Sequence, residues 1–209
     1  MSLPVLATGR PLGAAEAAVV MVHGRGASAE SILELAGEFA RPDLAYLAPQ
    51  AAGSSWYPYS FLAPLERNEP GLSAGLELLG DLVAHLAAHG IPAERTVLLG
   101  FSQGACLTLE FAARQARRYG GVIALSGGLI GPPGTPRDYP GSLGGTPVFL
   151  GCSDRDPHVP RERVAESAAV FTRLGAAVTE RIYPGLGHTV NADELEHARA
   201  ILAGLPAAV

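Results

Sequence analysis

Charge is scarce in this 209-residue sequence: 17% of residues are charged, with 15 Lys and Arg against 20 Asp and Glu and a formal net charge of −5. A nucleic-acid partner needs a stripe of cations to neutralise its phosphates, so none is expected. The short cluster Arg114, Arg117 and Arg118 reads as a solvated helix face. Cysteine is nearly absent, and Cys106 and Cys152 lie in apolar settings without CxxC spacing. That excludes a disulfide framework and a thiolate zinc site, and it fits a reducing compartment. The sequence has no uninterrupted run of 18 apolar residues. The stretch Met1-Ser2-Leu3-Pro4-Val5-Leu6 lacks a charged segment followed by a long apolar core. A cytoplasmic location without a stable membrane anchor is therefore expected.

Apolar residues and turn formers are plentiful instead. Hydrophobic residues make up 48%, with 26 glycines and 17 prolines, which describes a turn-rich globular chain able to bury a core without metal or disulfide support. One domain over residues 1–209 is expected. Short apolar runs at 17–22, 44–48, 96–99, 121–125, 147–150 and 178–183 alternate with helical patterns at 31–40, 72–89, 103–118, 161–174 and 192–203. This alternation predicts an α/β fold with a mostly parallel central sheet flanked by helices. Leu72, Leu76, Leu79, Val83 and Leu86 recur at spacings of three and four, so one stripe of that helix faces the sheet. Asn191 reads as a helix N-cap, with Glu194 completing a capping box. The stretches 49–71 and 127–145 are turn-rich loops, and the second leaves no room for a folded cap domain.

The chemistry centres on Gly100-Phe101-Ser102-Gln103-Gly104. Gly-x-Ser-x-Gly alone is a weak match, but here it lies between a strand and a helix, the setting a nucleophile elbow requires. Flanking glycines permit the sharp turn that presents the Ser102 hydroxyl at the strand's carboxyl end, where open α/β sheets bind ligands. A serine hydroxyl needs a base. Of six histidines, His188 has the best setting, in the glycine-rich loop Tyr183-Pro184-Gly185-Leu186-Gly187-His188 between the last strand and last helix. His85 and His89 have metal-compatible spacing without a third ligand, His197 lies within a helix, and His158 sits beside the candidate acid. His23 opens a glycine loop, where a backbone or supporting role is equally open. The favoured orienting carboxylate is Asp156, which leads into a proline turn before the next helix; Asp154, better placed to hydrogen-bond the loop itself, is the alternative, and spacing alone separates them. Backbone amides of Gln103 and of Arg25, in His23-Gly24-Arg25-Gly26, are candidates to hold an oxyanion. Trp56, the single tryptophan, is either a wall of the cleft or a pin between loop and core. Arg25 is a candidate to attract an anion or to join a salt bridge.

These motifs, together with Pro49-Gln50, Ser55-Trp56-Tyr57-Pro58, Leu125-Ser126-Gly127 and Asp156-Pro157-His158-Val159-Pro160, make the chain resemble the phospholipase/carboxylesterase family of small α/β-hydrolases, which includes the acyl-protein thioesterases. The resemblance spans nearly the whole chain. It implies Ser102 as nucleophile, Asp156 and His188 as its partners, Arg25 and Gln103 amides as the oxyanion hole, and hydrolysis of carboxylic esters, thioesters or lysophospholipids without cofactor or metal. The thioesterases usually carry leucine and aspartate where this chain has Arg25 and Ala27, so the pattern is more similar to the bacterial carboxylesterase-type branch. The competing expectations are a dienelactone-hydrolase-like or cofactor-free peroxidase activity on the same fold, and a non-catalytic binding protein. A small-molecule ester or thioester is the expected partner, with a homodimer left open.

Overall fold

The computed structural model describes residues 4–205; residues 1–3 of the N-terminal stretch read above, and residues 206–209, lie outside the described residues. The six apolar runs form strands, and a seventh joins them at the edge. In chain order these are β1 (Val5–Gly9), β2 (Ala18–Val22), β3 (Ala45–Pro49), β4 (Thr96–Phe101), β5 (Gly121–Leu125), β6 (Pro147–Ser153) and β7 (Ala177–Tyr183). They lie side by side as β1-β3-β2-β4-β5-β6-β7. β1 is antiparallel to β3, and all the other neighbouring pairs are parallel. Sequence patterning passed over β1 because its exposed edge residues carry no apolar alternation.

Six helices cover the sheet: α1 (Ala29–Leu33), α2 (Leu35–Glu38), α3 (Gly71–Ala88), α4 (Gln103–Arg114), α5 (Arg161–Arg173) and α6 (Ala192–Ala203). Side chains alternate across each strand, which sorts the core into two halves. Val20, Leu98 and Val122 pack with α3, α4 and α5, whereas Val19, Leu99 and Ile123 pack with α1, α2 and α6. Strands buried on both faces explain the near-continuous apolar runs. α3 is long and apolar enough, by length and composition, to cross a membrane. Its Leu72, Leu79, Val83 and Leu86 are instead buried in the core beside the sheet, with Leu76 half-buried against them.

Two helices depart from the sequence pattern. The single helix expected at 31–40 is two short ones, beginning earlier because Ser28 caps the Ser31 amide and Ser31 caps back. α4 stops at Arg114 rather than reaching residue 118. Beyond it the chain has tertiary partners: Arg118 Nη1 donates to Gly144 O at 2.6 Å, and the Tyr119 amide donates to Thr146 Oγ1 at 2.9 Å. Arg117 and Arg118 therefore lie outside the helix face assigned to them. The 127–145 stretch is an irregular loop held by buried charge. Glu110, 2% exposed, accepts from the Ile130 amide, while Arg163 Nη1 donates to the carbonyls of Leu129 and Gly131.

The capping box at Asn191 and Glu194 forms as expected. Glu194 is fully buried, with Oε2 accepting from the Asn191 amide and Oε1 facing the Gly151 backbone without a partner among the described residues. Burial pushes its carboxyl from 4.5 up to about 7. The folded state thus holds a proton that the unfolded chain releases, so stability falls as pH rises from 4.5 through 7. Glu194→Gln keeps the cap and removes the buried charge. We expect thermal melts to show a higher Tm for this variant at pH 8 and little difference at pH 4.5; an equal shift at both would contradict the assignment.

Candidate active site

Parallel strands bring the carboxyl ends of β2, β3, β4, β6 and β7 to one edge of the sheet, and Arg25, Trp56, Ser102, Asp156 and His188 lie on the segments that leave it. The turn from β4 into α4 is tight. Ser102 sits at φ 55 and ψ −120, a conformation that L residues rarely adopt and that marks stored strain. Glycine makes it possible: a Cβ on Gly104 would overlap the Val22 carbonyl, and one on Gly100 would lie 2.6 Å from Ala105 N.

His188 arrives from the loop between β7 and α6. Its Nε2 is 2.8 Å from Ser102 Oγ, and its Nδ1 is 2.6 Å from Asp156 Oδ2. An ionised carboxylate can only accept, so the ring proton belongs on Nδ1, and Nε2 is left to accept from the serine hydroxyl. The Asp156 side chain is fully buried. Burial is the largest influence on it and opposes ionisation. The His188 hydrogen bond and the amides of His158 and Val159, at 2.8 and 3.0 Å from Oδ1, together overcome that and hold the carboxyl below its usual range.

Asp154 has a different partner. Its Oδ1 accepts from the Gly185 amide at 2.7 Å, and Ser153 Oγ accepts from Gly187 N at 3.0 Å. Both therefore brace the glycine-rich loop that carries His188. Bracing by Ser153 is invisible in sequence, since it depends on β6 lying beside β7.

The candidate wall residues separate into lining and support. Trp56 is 5% exposed, and its Nε1 donates to His23 O at 2.8 Å. It is the pin of the two roles open to it, lying behind the cleft rather than lining it. Tyr57, Tyr59 and Phe61 line the cleft instead, a volume of about 620 Å³ that also touches Ser102, Phe101 and His188. Arg25 lines the cleft and forms no ion pair among the described residues. Its guanidinium donates to Ser55 Oγ and to the carbonyls of Pro58 and Tyr59, so it clamps the wall loop.

The Gln103 side chain does the same from the other side. Its Oε1 accepts from the Trp56 amide at 3.0 Å, and its Nε2 donates to Tyr57 O at 2.8 Å. The Gln103 backbone N–H opens α4, where no intrahelical acceptor exists. His23 is buried. The Ala51 amide donates to its Nε2, so Nδ1 carries the proton given to Gly24 O, and burial lowers its pKa. His158 is exposed at the cleft, its ring edge-on to His188 with centroids 4.9 Å apart. His85 and His89 lie exposed with rings 4.3 Å apart, and His197 stacks on Phe149; no metal-binding cluster forms among the described residues.

A strained serine between strand and helix at the carboxyl edge of a mostly parallel sheet defines an α/β-hydrolase. The pattern of the Phospholipase/Carboxylesterase family matches residues 5–205, and the chain belongs to that family. A crystallised phospholipase/carboxylesterase from Dyadobacter fermentans is 46% identical, with a TM-score of 0.93 and 97% of each chain covered. Acyl-protein thioesterase 1 of Debaryomyces hansenii is 28% identical over 93% of this chain and 92% of its own. Acyl-protein thioesterase 1 of Gibberella zeae is 32% identical over 66% of this chain, a match spanning only 60% of that relative.

The Gln103 clamp is testable through the single tryptophan. Gln103→Ala leaves the buried Trp56 amide unpaired and the Tyr57 carbonyl with Ser55 Oγ alone, at an expected cost of roughly 1–3 kcal/mol. Denaturant titration should show that loss, with a red shift of the Trp56 emission as water reaches it. Unchanged emission and stability would mean the loop is held without Gln103, by Arg25, Asn68 and the Trp56 indole.

Proposed function

We propose that the chain is a serine hydrolase that cleaves carboxylic esters through an acyl-enzyme, with Ser102 as nucleophile, His188 as base and Asp156 as the carboxylate that orients it. The observation that carries this reading is the continuous hydrogen-bonded line from Ser102 Oγ through both ring nitrogens of His188 to Asp156 Oδ2. Family membership supports the same chemistry.

Attack forms the bond from Ser102 Oγ to the acyl carbon and passes the hydroxyl proton to His188 Nε2. The carbonyl electron pair moves onto the oxygen, where the amides of Gln103 and Arg25 receive the charge. Collapse re-forms the carbonyl and breaks the bond to the leaving oxygen or sulfur, which takes the proton from Nε2 and departs as an alcohol or thiol. Water, deprotonated by His188, then repeats the sequence on the acyl-enzyme, releasing the acid and restoring Ser102. Asp156 stays ionised throughout, fixing the tautomer and stabilising the imidazolium. The aromatic wall of Tyr57, Tyr59 and Phe61 favours an apolar acyl group, and the protein acts without a cofactor, on small esters at a cytoplasmic location.

With p-nitrophenyl acetate as substrate, Ser102→Ala should lose all turnover above background; retained turnover would refute the nucleophile. Asp156→Asn should lower kcat by about 10⁴-fold, since the neutral amide no longer selects the working tautomer. Asp154→Asn should cost far less, because its side-chain oxygen still accepts from Gly185. Equal losses in the two variants would remove the distinction between orienting His188 and bracing its loop.

A further inference from the structure

Beside the main cleft lies a second chamber of about 380 Å³. The two volumes share Gly24, Ala27, Phe101 and His188, so they meet at the reacting centre. They differ in what else they touch. The main cleft reaches Ser102, Arg25 and Gln103, whereas the second runs past His188 towards α1, α2 and the start of the loop into α6. Its wall is mainly apolar, formed by Ile32, Leu35 and Val190, with His23, Ser31 and Thr189 as polar members.

We propose that this second chamber is a leaving-group subsite, which takes the apolar alcohol or thiol portion of the substrate while the main cleft takes the acyl portion. The inference rests on the Ser102 and His188 roles given above. A tetrahedral intermediate on Ser102 has three further substituents: the oxyanion, the acyl chain and the leaving group. The oxyanion is directed to the Arg25 and Gln103 amides, which belong to the main cleft. The leaving atom must lie at His188 Nε2 to receive its proton, so the chain attached to it is directed past the imidazole. The second chamber adjoins that imidazole, with His188, Thr189 and Val190 in its wall and neither Arg25 nor Gln103 touching it.

Small residues, Gly24 and Ala27, stand where the two volumes adjoin. A Cβ on Gly24 would stand 3.3 Å from Ser102 Cβ and 3.4 Å from Phe101 Cδ1, so a side chain there would crowd both. Apolar walls on Ile32, Leu35 and Val190 select a hydrocarbon alcohol or thiol over a charged one, since a charge would be desolvated without a partner.

Leu35 is half-buried on α2, away from Ser102, and can be changed with little risk to folding. The measurement is kcat/KM by pH-stat on two series: acetates of alcohols from methanol to octanol, and ethyl esters of acids from acetate to octanoate. Leu35→Trp should shorten the preferred alcohol, with a loss of about tenfold or more on the longest members. Leu35→Ala should lengthen it. Both variants should retain the wild-type dependence on acyl length. A changed acyl dependence, or an alcohol dependence unmoved by either variant, overturns the subsite while leaving the esterase reading intact. Hydrolysis of no member of either series by the wild-type protein would overturn that reading and the subsite with it.

Discussion

The arrangement around Ser102 depends on the backbone of Gly104 lying directly against the carbonyls of Val22 and His23. Any side chain there would push α4 away from β2. Two consequences follow from that contact. Ser102 is held in its strained turn with the hydroxyl beyond the sheet edge, and the first amide of α4 is brought beside the loop that follows β2. The two amide candidates for the oxyanion come from segments 78 residues apart, and backbone packing brings them together. That contact requires glycine at 104; glycine at 100 has a separate cause, since a Cβ there would meet the Gly104 carbonyl and Ala105 N.

Around this fixed point, polar side chains do the holding. Ser153 and Asp154 hold the His188 loop, while Gln103 and Arg25 hold the aromatic wall. Each acts mainly on backbone amides or carbonyls, so loops that bury little apolar surface of their own are still fixed. Arg25 and Gln103 combine two functions. In the proposed mechanism each offers its amide to the reacting centre while its side chain holds the wall, which would link the position of the substrate to that of the oxyanion donors.

Much of the fold was legible because parallel strands covered on both faces must be apolar throughout, as Val97, Leu98 and Leu99 are. β1 was not, since an edge strand buries little and leaves no such mark. The end of α4 was set by Gly144 and Thr146, far along the chain, and no local pattern encodes them. For the site, Ser102 and His188 were readable from their turn chemistry. Spacing alone favoured Asp156 over Asp154; in the structure they differ by partner, one bonding the imidazole and the other the Gly185 amide. Trp56 left two readings because an indole that lines a cleft and one that anchors a loop look alike in sequence.

The scarcity of cysteine has a chemical consequence at this site. Both thiols are buried, and burial pushes each up to about 12, so neither supplies a thiolate at neutral pH. The sequence also contains no lysine, all 15 of its basic residues being arginine. The usual side-chain competitors for an electrophile are thus missing or inert, while Ser102 stands at the surface of a cleft with an imidazole 2.8 Å from its oxygen. Set against such a quiet background, the proposed role of Ser102 implies that a phosphonate or carbamate warhead would mark that residue selectively.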